Sequence, residues 1–478
     1  MGRSLPFYRP LTPQAVKKID RNGRRILEHV GVKIIDTGFL DCLNKAGANI
    51  DYDNHIARFE GAWLDDVLSR APSRFTLYSR DGRNDLHLGN GKAYFANGGR
   101  VFRILDMATG GYRRTLLRDV SNTAILVDHL DYISFYIIAC QAHDIEPESY
   151  HLNDFFRAFY HTTKHVMGGC DDVEGAAKMW QLASLIAGGE DRLREKPFVS
   201  VITNVISPLT IDSNTLHILE FFTTRGIPVT CAPAPIAGAT SPATLAGTLS
   251  QLHAEALAGV VVTQVISPGS KVLYGAVPST MDLRRMEYTM GSVEMGMMNA
   301  AAVQLSKIYN LPIYASGGLT EAKRPDIQAG FEKHFSNLMV AMAGADCIHL
   351  TAGLMDSGNS LSYEQFVIDD EIIGMIHREL AGIEVNEDTL GFDVIESVGP
   401  GGNYVAEDHT IDHMMDEFFY PSLSVRCNFD IWEEKGRPDM LSRAHVLVKN
   451  TLDNGRESRL DPDLVLDIKK TFPCIINI

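Results

Sequence analysis

Two pairs of histidines stand four residues apart, His161 and His165 in "HTTKH" and His409 and His413 in "HTIDH". On a helix this spacing puts both imidazoles on one face, as a metal pair requires. Neither pair contains the glutamate of H-E-x-x-H, and no nearby cysteine or acidic cluster completes a tetrahedral set, so a zincin is excluded and no bound metal is expected. The second pair closes the stretch "VGPGGNYVAEDHTIDH", Val398 to His413. Its adjacent glycines could offer backbone N–H groups to an anion, but no lysine follows as in a phosphate loop. It reads as a turn between helices or as a loop bordering a pocket. The chain also lacks G-x-x-x-x-G-K-[ST] and G-x-S-x-G, and "ANGGRVFRILD" does not supply the G-x-G-x-x-G of a dinucleotide fold.

The elements that must position such residues alternate along the chain. Short β-prone runs fall at 93–97, 132–140, 165–170, 198–208, 227–235, 271–279, 311–318 and 347–353, with amphipathic or apolar helical stretches between most of them. Three of those helices are expected to end at a Gly or Asn C-cap, at Gly226, Gly259 and Asn310. Eight β/α units predict a (β/α)8 TIM-type barrel over 91–385. Residues 1–90 are expected to form a mostly helical extension, with Thr12-Pro13 starting its first helix, and 386–478 a helical segment packed on the barrel. The strands end in small or polar residues, among them Asn97-Gly98-Gly99, Gly168-Gly169, Asn204 and Ser316-Gly317. In a barrel these ends form the mouth, and small residues there leave a wide cavity. Tyr94, Phe95, Phe135, Tyr136, Tyr274 and Tyr314 lie on the strands, and alternation sends half of them away from the lumen.

The totals narrow the function. Lys and Arg number 44 against 60 Asp and Glu, a formal net charge of -16, which disfavours nucleic acid as a partner. The 7 cysteines are scattered without a C-x-x-C pair, as expected for a reducing cytoplasm. The start "MGRSLPFYRPLTPQ" has no charged-then-apolar leader, Pro6 removes a myristoylation signal, and no run reaches the roughly 18 apolar residues of a membrane span. A cytoplasmic protein with no membrane association is expected, with self-association left open.

Residues 10 to 450 resemble the trimethylamine methyltransferase superfamily. The resemblance rests on "YFANGG" with "LDMATGGYRR", on "TNVISPLTID", on "GSVEMGMMNAAAVQLSKIYNLPIYASGGLTEAKRPDIQAGFEK", on "SYEQFVIDDEIIGMI" and on "VGPGGNYVAEDHT". It implies an (α/β)8 barrel and methyl transfer to cob(I)alamin, giving methylcobalamin, on a separate corrinoid protein. The founding type carries pyrrolysine in its pocket. This chain has no unusual residue, so the resemblance points to the branch that demethylates quaternary amines, with glycine betaine as donor and dimethylglycine released. A quaternary ammonium already carries a neutral amine as leaving group, so neither a general acid nor a protein nucleophile is needed, consistent with the missing motifs.

On this reading the substrate-binding candidates are the aromatics Tyr94, Phe135 and Tyr274, the polar groups Asn97, Asn204, His349, Asn403 and His409, and the carboxylate Glu332, with Glu294 a further family-motif carboxylate. Gly98, Gly99, Gly168, Gly169, Ser316, Gly317, Gly401 and Gly402 are expected to face the corrinoid. The same residues would serve proline betaine, carnitine or γ-butyrobetaine, or a betaine-binding protein without catalysis.

Overall fold

A computed structural model describes residues 8–477. The start read for targeting signals, Pro6 included, lies largely outside them. Eight parallel strands close into a barrel: β1 (Tyr94–Asn97), β2 (Ile133–Ile137), β3 (Val166–Gly168), β4 (Val199–Thr203), β5 (Val229–Cys231), β6 (Val272–Ala276), β7 (Ile313–Ser316) and β8 (Cys347–Ala352). Neighbours in space follow chain order, and β8 pairs with β1 to close the ring. Each strand is followed by a helix: α1 (Leu117–His129), α2 (Tyr150–His161), α3 (Val173–Ala187), α4 (Ser213–Thr223), α5 (Leu245–Ile266), α6 (Val293–Ser306), α7 (Ile327–Ala343) and α8 (Tyr363–Ala381). This is the (β/α)8 class, and each of the eight β-prone runs contains its strand.

Local chemistry explains where the helices begin. Asp172, Asp212, Ser292, Asp326 and Ser362 each accept a hydrogen bond from the backbone N–H three residues on, capping α3, α4, α6, α7 and α8. One expected stop fails. Helix α5 continues past Gly259 to Ile266, because this glycine is there for packing: a Cβ on it would lie 2.5 Å from Cys231 Cβ on β5. By length and composition α5 could cross a membrane, yet 83% of its most apolar window is buried inside this fold. The N-terminal helix Pro13–Arg25 crosses its outer face so closely that a Cβ at Gly23 would come within 2.9 Å of His253.

Alternation along the strands sorts the side chains. Tyr94, Ala96, Phe135, Ile137, Met167, Leu273, Tyr314 and Cys347 fill the lumen, while Phe95, Tyr136 and Tyr274 join the layer between strands and helices. A hairpin, Phe75–Leu77 with Leu86–Leu88, plugs the N-terminal end of the barrel. It places Leu77, Leu86 and Leu88 under Tyr94, each worth roughly 1.5–3 kcal/mol of burial. The N-terminal residues also contribute strands that short runs such as "VKII" did not announce. Val32–Ile35 pairs in parallel with Thr210–Asp212 from the β4–α4 loop, fastening the extension to the rim of the barrel.

After α8 come the short helices Glu387–Leu390, Phe392–Val398, Asp408–Glu417 and Phe429–Glu434, none of which contains a buried residue. The chain packs again at Met440–Asn454, which buries Ala444, Val448 and Leu452, and at Pro462–Thr471. Its last residues accept hydrogen bonds from Asn153 and Arg157 on α2.

The mouth of the barrel is held from behind by a fully buried ion pair. Lys333 Nζ on α7 lies 3.1 Å from Asp369 Oδ2 on α8, and both side chains are 0% exposed. Lys333 also donates to the carbonyls of Gly318 and Leu354, and Asp369 accepts from the Gly353 N–H at 2.8 Å. Burial pushes the Asp369 carboxyl up to about 6 and the Lys333 ammonium down, so each charge depends on the other. Lys333→Met alone should therefore destabilise the fold by about 3–5 kcal/mol in urea unfolding, whereas Lys333→Met with Asp369→Leu should recover most of that loss.

Candidate active site

The strand ends of the barrel surround a cavity of about 870 Å³ at the C-terminal face. A second hollow of about 610 Å³, between Asp65, Arg74, Lys307 and Asp346, lies at the opposite end, beside the N-terminal ends of β7 and β8. The C-terminal cavity includes two residues, Arg100 and Asp154, with buried polar atoms that have no hydrogen-bond partner among the described residues.

At the end of β1 the Asn97 side chain bridges to β2, accepting from the Ile137 N–H at 2.8 Å and donating to the Ile137 carbonyl at 2.7 Å. It supplies the pairing where the β1–β2 register shifts. Gly98 follows with no room for a side chain, since a Cβ would meet Leu354 at 2.1 Å. The chain then turns at Arg100, a non-glycine residue at φ 52°, and presents its guanidinium to the cavity. Arg100 stacks 4.5 Å over the Tyr150 ring, donates to Asp171 at 3.3 Å and lies 3.8 Å from Asp154 Oδ2. Its Nε has no partner among the described residues.

Helix α2 contributes His151, Asp154 and Phe155. Asp154 is 1% exposed, and neither of its carboxylate oxygens accepts a hydrogen bond from the described residues. Burial pushes its carboxyl up to about 8, partly opposed by Arg100 and reinforced by Asp144. Burial and the nearby Arg100 push His151 down to about 3, so its ring is neutral. Cys170, beyond β3, has its thiol pushed up to about 12 by burial and is no thiolate.

On the far side Tyr314 and His349, from β7 and β8, stack with ring centres 3.9 Å apart and an interplanar angle of 15°. His349 Nε2 is 2.8 Å from Ser316 Oγ, and burial lowers the histidine to about 3. The pair is a neutral aromatic surface, and Phe155 and Tyr288 add two further rings to the lining. The loop "TNVISPLTID" places Asn204, Ile206 and Asp212 on the rim. It is anchored by Glu255, which accepts from Ser207 Oγ at 2.7 Å and the Leu209 N–H at 2.9 Å.

Of the residues singled out in the sequence, Asn204, His349, Gly99, Gly168 and Gly169 line this cavity. Tyr94 and Phe135 face the lumen but lie in the apolar layer below it, because β1 begins at Tyr94 and the hairpin covers that end. Tyr274 points outward, its hydroxyl 2.9 Å from His253 Nδ1. Asn97 is consumed by strand pairing. Glu332 stands one layer back: it accepts from Thr320 Oγ1 and the Glu321 N–H, and Glu321 in turn holds the backbone of Met290 and Gly291 at the cavity wall. Glu294 is in the first turn of α6 and is not among the lining residues. Gly98, Ser316 and Gly317 are buried beneath the rim, Gly317 against Asn337 and Ile348. Asn403, His409, Gly401 and Gly402 belong to the C-terminal segment, where none lines the cavity. No residue of the stretch "VGPGGNYVAEDHT" is among those lining the cavity.

Residues 1–472 match the profile described as trimethylamine methyltransferase (MTTB). The chain belongs to the trimethylamine methyltransferase family. It is 34% identical over 429 residues to trimethylamine methyltransferase MttB of Desulfitobacterium hafniense (strain DSM 10664 / DCB-2), covering 90% of this chain and 86% of that one. It is 33% identical over 466 residues to a glycine betaine methyltransferase of Desulfitobacterium hafniense (strain Y51), covering 97% and 96%. Among solved structures the monomethylamine methyltransferase MtmB of Methanosarcina barkeri shares the fold, with a TM-score of 0.55 at 12% identity over 95% of this chain and 89% of that one.

For this methyltransferase, sequence reasoning missed Arg100, His151, Asp154, Phe155, Tyr288 and Met290. Arg100 carried a usable signal, since it directly follows the Gly-Gly at a strand end. The α2 residues carried none, because which turn of a helix faces the mouth is set by packing.

Asp154, which accepts no hydrogen bond from the described residues, gives a test. Between its unfolded value of about 3.9 and its folded value of about 8, the folded chain holds a proton that the unfolded chain releases, so stability falls as pH rises across this window. Asp154→Asn removes that slope. Relative to the parent, the variant should gain stability from pH 5 to pH 8, by up to ~1.4 kcal/mol per pH unit, and thermal unfolding at each pH measures it.

Proposed function

We propose that the protein transfers a methyl group from glycine betaine to cob(I)alamin on a partner corrinoid protein, releasing dimethylglycine. The observation that carries this reading is that two residues lining one cavity at the barrel mouth, Arg100 and Asp154, form an ion pair 3.8 Å apart and retain a guanidinium nitrogen and two carboxyl oxygens with no hydrogen-bond partner among the described residues. A zwitterion with a carboxylate and a fixed cation complements both, whereas trimethylamine has no group for Arg100. The sequence contains only standard residues and so lacks the pyrrolysine of the founding type. Similarity to a glycine betaine methyltransferase supports the choice, although the trimethylamine enzyme is just as similar, so the cavity's chemistry has to decide.

Orientation and desolvation are the work left to this chain. The Arg100 guanidinium is the donor for the betaine carboxylate, a charge-assisted bond worth about 1.5–3 kcal/mol. The rings of Tyr314, Phe155 and Tyr288 supply π faces for the trimethylammonium group, each contact worth about 0.5–2 kcal/mol. The leaving amine departs with the bonding electron pair and needs no proton, which suits a site whose histidines are neutral and whose thiol is protonated. Nitrogen loses its positive charge as the methyl leaves, so a site that grips the cation too tightly raises the barrier. Asp154, pushed up to about 8, is largely uncharged at neutral pH in the free protein and offers oxygen lone pairs more than a full counter-charge.

When bound, the corrinoid supplies the Co(I) nucleophile that takes the methyl group. At Gly169 on the rim a Cβ would meet nothing closer than the Ile202 carbonyl at 3.7 Å, so there is local space beside that glycine. The cavity volume also favours a second reading with the same chemistry on a bulkier betaine, such as proline betaine, carnitine or γ-butyrobetaine, since about 870 Å³ suits a drug-sized ligand.

An anaerobic assay with cob(I)alamin, free and on the cognate corrinoid protein, and a panel of betaines and trimethylamine tests both readings by methylcobalamin formation. Methylation from glycine betaine is expected. Methylation from trimethylamine alone, or betaine binding without transfer, would overturn the proposal. Arg100→Gln should raise the KM for betaine about 10- to 100-fold with a smaller change in kcat, as expected for a lost charge-assisted contact.

A further inference from the structure

We infer that Asp388, His409 and His413 form a divalent metal site, with Zn²⁺ as the fitting ion, that fastens the C-terminal segment together. The sequence supplies only two of these ligands at helical spacing. The fold supplies the third from a residue 21 positions upstream of His409.

His409 and His413 project from one face of the helix Asp408–Glu417, with ring centres 4.4 Å apart. Asp388 sits on the short helix Glu387–Leu390, its Oδ2 3.3 Å from His413 Nε2, and its carbonyl oxygen lies 3.2 Å from His409 Nε2. One ligand atom from each of the three residues falls within 4.8 Å of the others. A tetrahedral zinc with bonds of about 2.0–2.2 Å separates its ligand atoms by roughly 3.3–3.6 Å, so a small contraction completes the set. Asp388 can make it, because its side chain is 76% exposed and free to rotate. Gly391 ends the Asp388 helix in the left-handed region at φ 62° and passes directly beside the His409 ring, where a Cβ would stand 3.4 Å from Nε2.

The energetics of the segment supply an independent argument. The helices Glu387–Leu390, Phe392–Val398 and Asp408–Glu417 bury no residue, so no core of their own holds them in register. Short elements without a core require another constraint, and metal ligation is one that acts through a few side chains. Two imidazoles and one carboxylate suit Zn²⁺ or Co²⁺ and lack the oxygen-rich shell that Ca²⁺ or Mg²⁺ needs. None of the three ligands lines the mouth cavity, so the role is to fix the segment.

Cobalt(II) titration of the full-length protein, after treatment with EDTA and dialysis, tests the site through the visible absorption of tetrahedral cobalt. One equivalent per chain, displaced by one equivalent of Zn²⁺, is expected. His413→Ala and Asp388→Asn should each weaken cobalt binding at least ~10-fold. Zn²⁺ should also slow proteolytic cleavage between residues 386 and 438 in the parent and not in the variants. Asp388 is exposed on a helix with no buried residue, so Asp388→Asn keeps the barrel folded, which its thermal unfolding checks. Failure of the parent to bind cobalt, or equal binding by parent and variants, would overturn the site, leaving hydrogen-bonded histidines only. Either result is independent of betaine turnover.

Discussion

The mouth of this barrel depends on the buried pair of Lys333 and Asp369. Two charges removed from water are costly, and what offsets the cost is that each is also bonded to backbone: Lys333 to the carbonyls of Gly318 and Leu354, Asp369 to the N–H of Gly353. Those carbonyls and that amide belong to the loops after β7 and β8, which carry Leu319 and Leu354 to the cavity. The same stretch of α7 adds Ser336, whose hydroxyl accepts from the Gly318 N–H at 3.0 Å, and Glu332, which holds Thr320 and Glu321. One helical surface thus sets the shape of two loops, and through Glu321 it also sets the position of Met290 on a third.

Such bracing matters because the rim is strained. Arg100, Leu209, Asp356 and Ser357, in loops at the strand ends, and Leu350, at the irregular stretch of β8, are non-glycine residues with positive φ. Each such conformation costs on the order of 1–3 kcal/mol and persists only where surrounding contacts over-determine it. At Arg100 the strain has a visible consequence, since the turn brings a guanidinium to the cavity wall 3.8 Å from the buried carboxyl of Asp154. A rim relaxed to ordinary backbone angles would not present that pair to one ligand.

Much of the fold was legible because its signals are local. Strand runs, Ser and Asp caps and the closing Gly or Asn residues all act within a few residues of themselves, and so the eight β/α units could be read in order. Gly259 shows the limit: a glycine needed for contact with Cys231 looks the same in sequence as one needed for a C-cap. The site was less legible for two physical reasons. Alternation has a phase and a depth that a single strand does not reveal, so Tyr274 pointed outward and Tyr94 and Phe135 sat below the cavity, whereas His349 reached it. The charged groups came from a turn and from a helix face, where tertiary packing alone decides what meets what.

The C-terminal segment obeys a different logic from the barrel. Phe392, Val405 and Phe418 are 65%, 82% and 61% exposed, more apolar surface than a short stretch usually shows to water. Helices held together by packing must turn such side chains inward to make a core. Helices held by two imidazoles and a carboxylate need no core, and their apolar side chains remain outside. The same His-His spacing that looked incomplete in sequence therefore accounts for both features of the segment, its lack of buried residues and its outward-facing apolar surface, once Asp388 is brought to it by the fold.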